Sequence, residues 1–288
     1  MNPLTLIELI GQEEFLAGLG WGIVGGLVVL FAPSRLRPLP VWGVIVAACV
    51  VGGAWPFVGA HPLVAVGIAA LAAGGGLVGQ GRWWGVLLIG AGAAAVALTE
   101  SVPDVWWVRV GTVAFIGIGG WAIARLSGAL ADTGVPALMV AGTAFGVWAT
   151  VPDTEIAATF LGALTPLVFT AWPQVRAIVG SGGAYAVAGA LAWAIAEGGA
   201  ARAGSIVGGW GTIGAFAGAL FVSRLLAERR WYLFAVHGVA VLLTSRVAGM
   251  FETGSAALVV VVPVLVAAAA ATRFLAVASP HSTNARLR

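Results

Sequence analysis

Residues 41–79 read VWGVIVAACVVGGAWPFVGAHPLVAVGIAALAAGGGLVG, a stretch without a single Asp, Glu, Lys or Arg. Its one interruption is Gly59-Ala60-His61-Pro62, a turn-forming cluster that leaves an apolar run on either side. A hydrocarbon core about 30 Å thick takes roughly 20 apolar residues of helix. The stretch therefore predicts two membrane helices joined by a tight turn.

The same pattern continues in both directions. Apolar runs bounded by charge, Pro or Gly give spans near 15–31, 41–55, 62–78, 83–99, 105–125, 135–150, 155–172, 179–197, 204–224, 231–247 and 254–273. The expected fold is all-α, a polytopic integral membrane protein of about eleven transmembrane helices forming a single transmembrane domain over 1–288. Several runs are short, which implies a thin local bilayer, helices with little tilt or ones that extend past these limits. Residues 1–14 form a short outer segment able to lie in the membrane interface, and 274–288 a cytoplasmic tail. Glu8, Glu13 and Glu14 with no basic residue among them make the start unlike a signal peptide.

Composition supports this class and removes others. Sixty per cent of the residues are apolar and 9% charged, against roughly a quarter charged in a soluble domain. All fourteen basic residues are Arg, so chemistry needing a Lys amine is excluded. Replacement of Lys by Arg beside abundant Ala, Gly and Val is the composition of a GC-rich bacterial genome, which places the chain in a bacterial plasma membrane. Cys49 is the sole cysteine, which rules out an intrachain disulfide or thiolate cluster. The high isoelectric point comes from arginines scattered singly at span ends, so nucleic acid is not an expected partner.

Basic residues resist translocation. With the N-terminus outside, eleven of the fourteen arginines fall inside, and nine of the eleven acids fall outside. After the first span, the other ten form five hairpins whose outer turns lie about 48 residues apart, near 58, 103, 152, 200 and 251. Val102-Pro103-Asp104 recurs as Val151-Pro152-Asp153 in the next outer turn. A fixed spacing of this kind is the mark of a repeat, here a parallel one.

Glycine occupies 43 positions, and small residues let helix backbones approach closely in lipid. Gly18, Gly22 and Gly26 form a ridge on the first span, and such faces are expected to pack helices or to hold a protein partner or second copy. Membrane lipids are the other expected partner. Trp42, Trp55, Trp83, Trp84, Trp106, Trp107, Trp148, Trp172 and Trp231 sit near span ends as interfacial anchors.

Phosphate-binding loops, zinc-binding HExxH and nucleophile elbows are absent, and His61, His237 and His281 have no carboxylate at ligand spacing, so no metal or cofactor is expected. Two groups of polar residues remain. The first would gather at an outer mouth: Glu100, Asp104, Arg109, Asp153, Glu155, Glu197, Arg202, Arg246 and Glu252. The plainer reading of these is a set of loops that avoid positive charge. The second lies within the membrane: Thr143 and Thr150 on the sixth span, Thr159, Pro166 and Thr170 on the seventh, and His237 on the tenth. Intramembrane ionisable groups default to functional hypotheses, and a proline-broken helix bearing hydroxyls points either to a transporter site or to a packed interface. Transport of a small or lipid-like solute is the favoured function. An accessory or scaffold subunit of an envelope complex is the alternative, followed by a membrane-embedded enzyme acting on lipid-linked substrates.

Overall fold

The structure is a computed structural model that describes residues 13–31, 42–58, 62–130, 154–171 and 179–199, together with Ile206, Gly209 and Trp210. Seven helices occur among the described residues: α1 (Glu13–Phe31), α2 (Trp42–Val58), α3 (Pro62–Gly79), α4 (Gly85–Ala97), α5 (Trp106–Leu130), α6 (Thr154–Ala171) and α7 (Gly180–Gly199). No strand is found among these residues. Each helix coincides with one of the expected spans. The spans expected at 135–150, 231–247 and 254–273, and nearly all of 204–224, lie outside the described residues.

Three helical stretches, Glu13–Phe31, Pro62–Gly79 and Trp106–Arg125, are long and apolar enough to cross a membrane. Eighteen residues at 1.5 Å each give α3 a length of about 27 Å. The outward side of α1 exposes Leu16, Ile23, Val24, Leu27, Val28 and Phe31, and α5 exposes Val110, Ile118 and Trp121. A continuous apolar exterior of this kind fits a lipid environment. Trp55, Trp83, Trp84, Trp106 and Trp107 are likewise exposed at or near helix ends.

The chain reverses between α3 and α4 through a glycine. Gly81 takes φ 79°, the left-handed conformation a side chain disfavours. Its N–H donates to the Val78 carbonyl at 2.9 Å and that of Arg82 to the Leu77 carbonyl at 2.9 Å. This double bond pattern closes the last carbonyls of α3. At the opposite turn, the Thr99 hydroxyl donates to the Val96 carbonyl at 2.7 Å and Val102 is fully buried. Val102-Pro103-Asp104 is thus an apolar plug, a turn-former and an exposed acid.

The bundle is organised around α7, whose residues 182–196 are all buried. An all-round apolar helix belongs in an interior, and α7 packs against α2, α3 and α5, with α6 beside them. The outer-turn hairpins expected from the sequence are not all packing units. α2 and α3, joined through residues 59–61, barely touch, whereas α3 packs along α4 across the turn at Gly81. The reason is glycine placement: a Cβ at Gly92 would lie 2.6 Å from the Gly67 carbonyl oxygen, and one at Gly74 would lie 2.7 Å from that of Gly85.

Candidate functional sites at the acidic end and the α1–α6 seam

Contacts between neighbouring helices fix which helix ends lie together. Gly25 of α1 faces Cys49 of α2 while Gly18 faces Gly53, so these helices are antiparallel. By the same test α3 runs against α4, and α7 runs against both α3 (Gly75 to Tyr185, Leu71 to Gly189) and α5 (Gly120 to Tyr185, Gly119 to Ala188). Gly43 meets Gly183 near the starts of α2 and α7. One end of the bundle therefore carries Glu13, Glu14, Glu100, Asp104, Arg109 and Glu197, and the opposite end carries Arg82 and Arg125.

At the acidic end the sequence-predicted residues that come together are Asp104 and Arg109. Arg109 donates from Nη1 to Asp104 Oδ1 at 3.1 Å, with side chains 32% and 90% exposed respectively. A pair with one partner fully in solvent contributes about 0–1 kcal/mol. The Nε of Arg109 is buried without an acceptor, and a buried donor left unpaired costs about 1–3 kcal/mol. Its position in the first turn of α5 also sets a cation against the positive end of the helix dipole. The pair tethers the turn before α5 and adds little stability. Glu100 and Glu197 make no ion pair among the described residues. Glu155 falls in the first turn of α6, while Asp153, Arg202, Arg246 and Glu252 lie outside the described residues.

Of the intramembrane polar residues, Thr159 and Pro166 are on α6 facing α1, and Thr170 is in the last turn of α6. Thr143, Thr150 and His237 lie outside the described residues. The two helices run parallel, with Gly18 against the Thr159 carbonyl, Gly22 against that of Ala163, and Gly162 of α6 against the Phe15 carbonyl of α1. In all three cases the space a Cβ would take is filled by a carbonyl oxygen, so a glycine Cα–H points at it. Such contacts contribute about 0.5–1 kcal/mol each. The Pro166 ring packs on Gly22, 2.9 Å from where a Cβ would stand. Pro166 has no N–H for the Gly162 carbonyl, and one residue before it the Thr165 hydroxyl donates back to the Leu161 carbonyl at 2.7 Å. Thr159 is buried, and its methyl lies beside Gly53 of α2. Thr159 thus lies buried at the junction of α1, α2 and α6, whereas Thr165 is exposed.

Other contacts were not legible in the sequence. The Cys49 thiol donates to the Trp21 carbonyl at 3.2 Å, and the ring of Trp21 covers Gly52. Tyr185 places its ring between Gly75 of α3 and Gly120 of α5. Trp210 stacks on Phe115, ring centroids 6.0 Å apart, in a space left by Gly111, and its indole N–H is buried without a partner. The only signal for these was glycine opposite a bulky residue, which needs the pairing of helices to be known. Among the described residues no three His, Cys, Asp or Glu side chains group as metal ligands. No protein-family model, curated protein or solved structure matches the chain.

Proposed function

We propose that the chain is a multi-pass transporter of a small or lipid-like solute in a bacterial plasma membrane, its N-terminus outside and its C-terminal tail in the cytoplasm. The separation of Arg82 and Arg125 from the acids at the other end of the bundle supports this orientation. The observation that carries the transport reading is the α1–α6 seam. A helix interrupted by Pro166 meets its neighbour through glycine backbone, and a proline-broken membrane helix is a pointer to a solute site. Reconstituted vesicles test it directly. Scrambling of fluorescent phospholipid and release of small entrapped anions and cations are compared with protein-free vesicles, and rates that match for every probe refute transport.

An accessory subunit is the second reading, favoured by Gly20 and Gly90. Both sit where a Cβ would meet nothing within 4 Å, leaving small residues on outward faces where another protein's helix can approach. Purification in mild detergent with one stoichiometric protein partner, and without flux in vesicles, supports that reading over transport.

A further inference from the structure

We propose that the flank formed by α3, α4 and α5 is a lipid-facing wall cut for a hydrocarbon layer of about 20 Å, that it thins the bilayer beside it, and that phospholipid is the solute whose crossing this eases. The choice of phospholipid rests on the transport reading above; the wall stands on the helices themselves.

α4 is shorter than an ordinary membrane is thick. It runs from Gly85 to Ala97, 13 residues, or about 20 Å at 1.5 Å each. Neither end extends it into a longer helix. The Leu98 N–H donates to the Ala94 carbonyl at 2.9 Å, that of Thr99 turns to the Val96 carbonyl at 3.2 Å, and Gly81 at φ 79° reverses the chain before Arg82. Yet α4 joins the two polar ends of the bundle, with Arg82 before it, Glu100 and Asp104 after it, and no charged residue between 82 and 100. An ordinary hydrocarbon core is about 30 Å thick. Val86, Leu87 and Leu98 are exposed, so α4 stands at the surface of the bundle where lipid meets it.

Exposed tryptophans give the same thickness independently. Gly67 on Gly92 and Gly74 on Gly85 set the register of α3 against α4, which brings Trp84 level with Gly75. Gly75 packs on one edge of the Tyr185 ring and Gly120 on the other, and Trp121 follows Gly120 in α5. Trp84 and Trp121, both exposed, therefore lie in one layer at the basic end, with Arg82 and Arg125 just beyond. Trp106 and Trp107 are exposed at the opposite end of α5, beside the turn that carries Glu100 and Asp104. Rings so placed sit at headgroup level. Residue 107 to residue 121 is fourteen positions, about 21 Å along the helix, and tilt would only reduce it. Trp21, exposed midway along α1, instead packs its ring on Gly52. A bilayer meets a short apolar wall by thinning, and a thinned layer lowers the cost of taking a polar group across.

Nitroxide labels on the full chain, in vesicles of 18-carbon phosphatidylcholine, read the thickness directly. In a Cys49→Ala background, Val110→Cys and Ile118→Cys each put a label on the exposed side of α5, where substitution disturbs no packing. Collision with oxygen against a water-soluble nickel chelate gives the depth of Val110→Cys from the acidic face and of Ile118→Cys from the basic face. The labels stand about 12 Å apart along the helix. Their two depths therefore sum to about 9 Å in a layer of about 21 Å and to about 18 Å in an ordinary one of about 30 Å. A sum near 9 Å is expected, with phospholipid scrambling severalfold above protein-free vesicles; a sum near 18 Å overturns the wall, whether or not lipid is scrambled. Flux in the same vesicles separates the two ideas. A thin layer with ion release but no scrambling overturns phospholipid as the solute, and a thin layer with neither overturns transport while the wall stands.

Discussion

Gly18 and Gly20 are two residues apart on one helix and face opposite environments, so the same small substitution at each isolates what the α1–α6 seam contributes. At Gly20 an added methyl meets nothing within 4 Å. Gly20→Ala should leave stability unchanged or raise it by up to about 1 kcal/mol, the difference in helix propensity between the two residues. At Gly18 the methyl lands on the Thr159 carbonyl, and a backbone atom cannot swing aside as a side-chain end can. The helices must separate, which loses the three glycine-to-carbonyl contacts, about 1.5–3 kcal/mol at 0.5–1 each. Neighbouring side chains must also shift, and overpacking adds about 1–3 kcal/mol. Against a propensity gain of about 1 kcal/mol, the net loss expected for Gly18→Ala is about 1.5–5 kcal/mol. Unfolding in mixed micelles by titration with denaturing detergent, followed by tryptophan fluorescence, measures both variants on one scale. Gly162→Ala should match Gly18→Ala, and the double variant should lose less than the sum because the first substitution has already parted the seam. Equal stability of Gly18→Ala and Gly20→Ala would refute the close backbone approach on which the seam argument depends.

Three further outcomes follow from the described geometry. Gly81→Ala meets no atom within 4 Å but inherits φ 79°, so it should cost about 1–2 kcal/mol from backbone strain alone, with Gly81→Asn costing less in the same titration. Arg109→Met removes a buried unpaired Nε and a weak, solvent-exposed ion pair, and is expected to be neutral or stabilising by up to about 2 kcal/mol; a loss larger than about 1 kcal/mol by the same measurement would show the pair to be structural. Impermeant thiol reagents added to intact cells should label Asp104→Cys, whereas Arg82→Cys should react only in inverted vesicles; the reverse pattern overturns the orientation.

The helices were legible because lipid leaves few alternatives: an apolar run such as 62–79 with no charge must be helical once it enters a membrane. Their neighbours were not legible. α7 is apolar on every side, so no face of it announces which helices surround it, and α1 is nearly as apolar outside as in. For the same reason hydropathy could not tell that α3 packs along α4 and scarcely touches α2, since the turn at 59–61 and the turn at Gly81 look alike as interruptions. At the candidate site, Asp104 and Arg109 were legible as members of the polar end, but nothing in the sequence singled them out as a pair. The threonines of α6 could not be sorted by sequence: Thr159 is buried with its methyl beside Gly53, whereas Thr165 is exposed and bonds the Leu161 carbonyl.

Glycine placement then decides which pairs of helices approach most closely. Lipid supplies no hydrophobic force between helices, so the approach of backbones decides how strongly each pair is held. On α3 and α4 the facing glycines, 67 with 92 and 74 with 85, are seven residues apart on both helices. Two turns separate the contact points, which keeps the helices nearly aligned and in touch along their length. On α1 and α6 the facing positions, 18 with 159 and 22 with 163, are four apart, but Gly162 on Phe15 and Leu167 beside Gly25 extend the contact along both helices, and it is the most extensive pairing among the described helices. α2 meets α7 through glycine only at its end, Gly43 on Gly183. α1 with α6 and α3 with α4 are therefore the two pairs that close backbone approach holds most firmly.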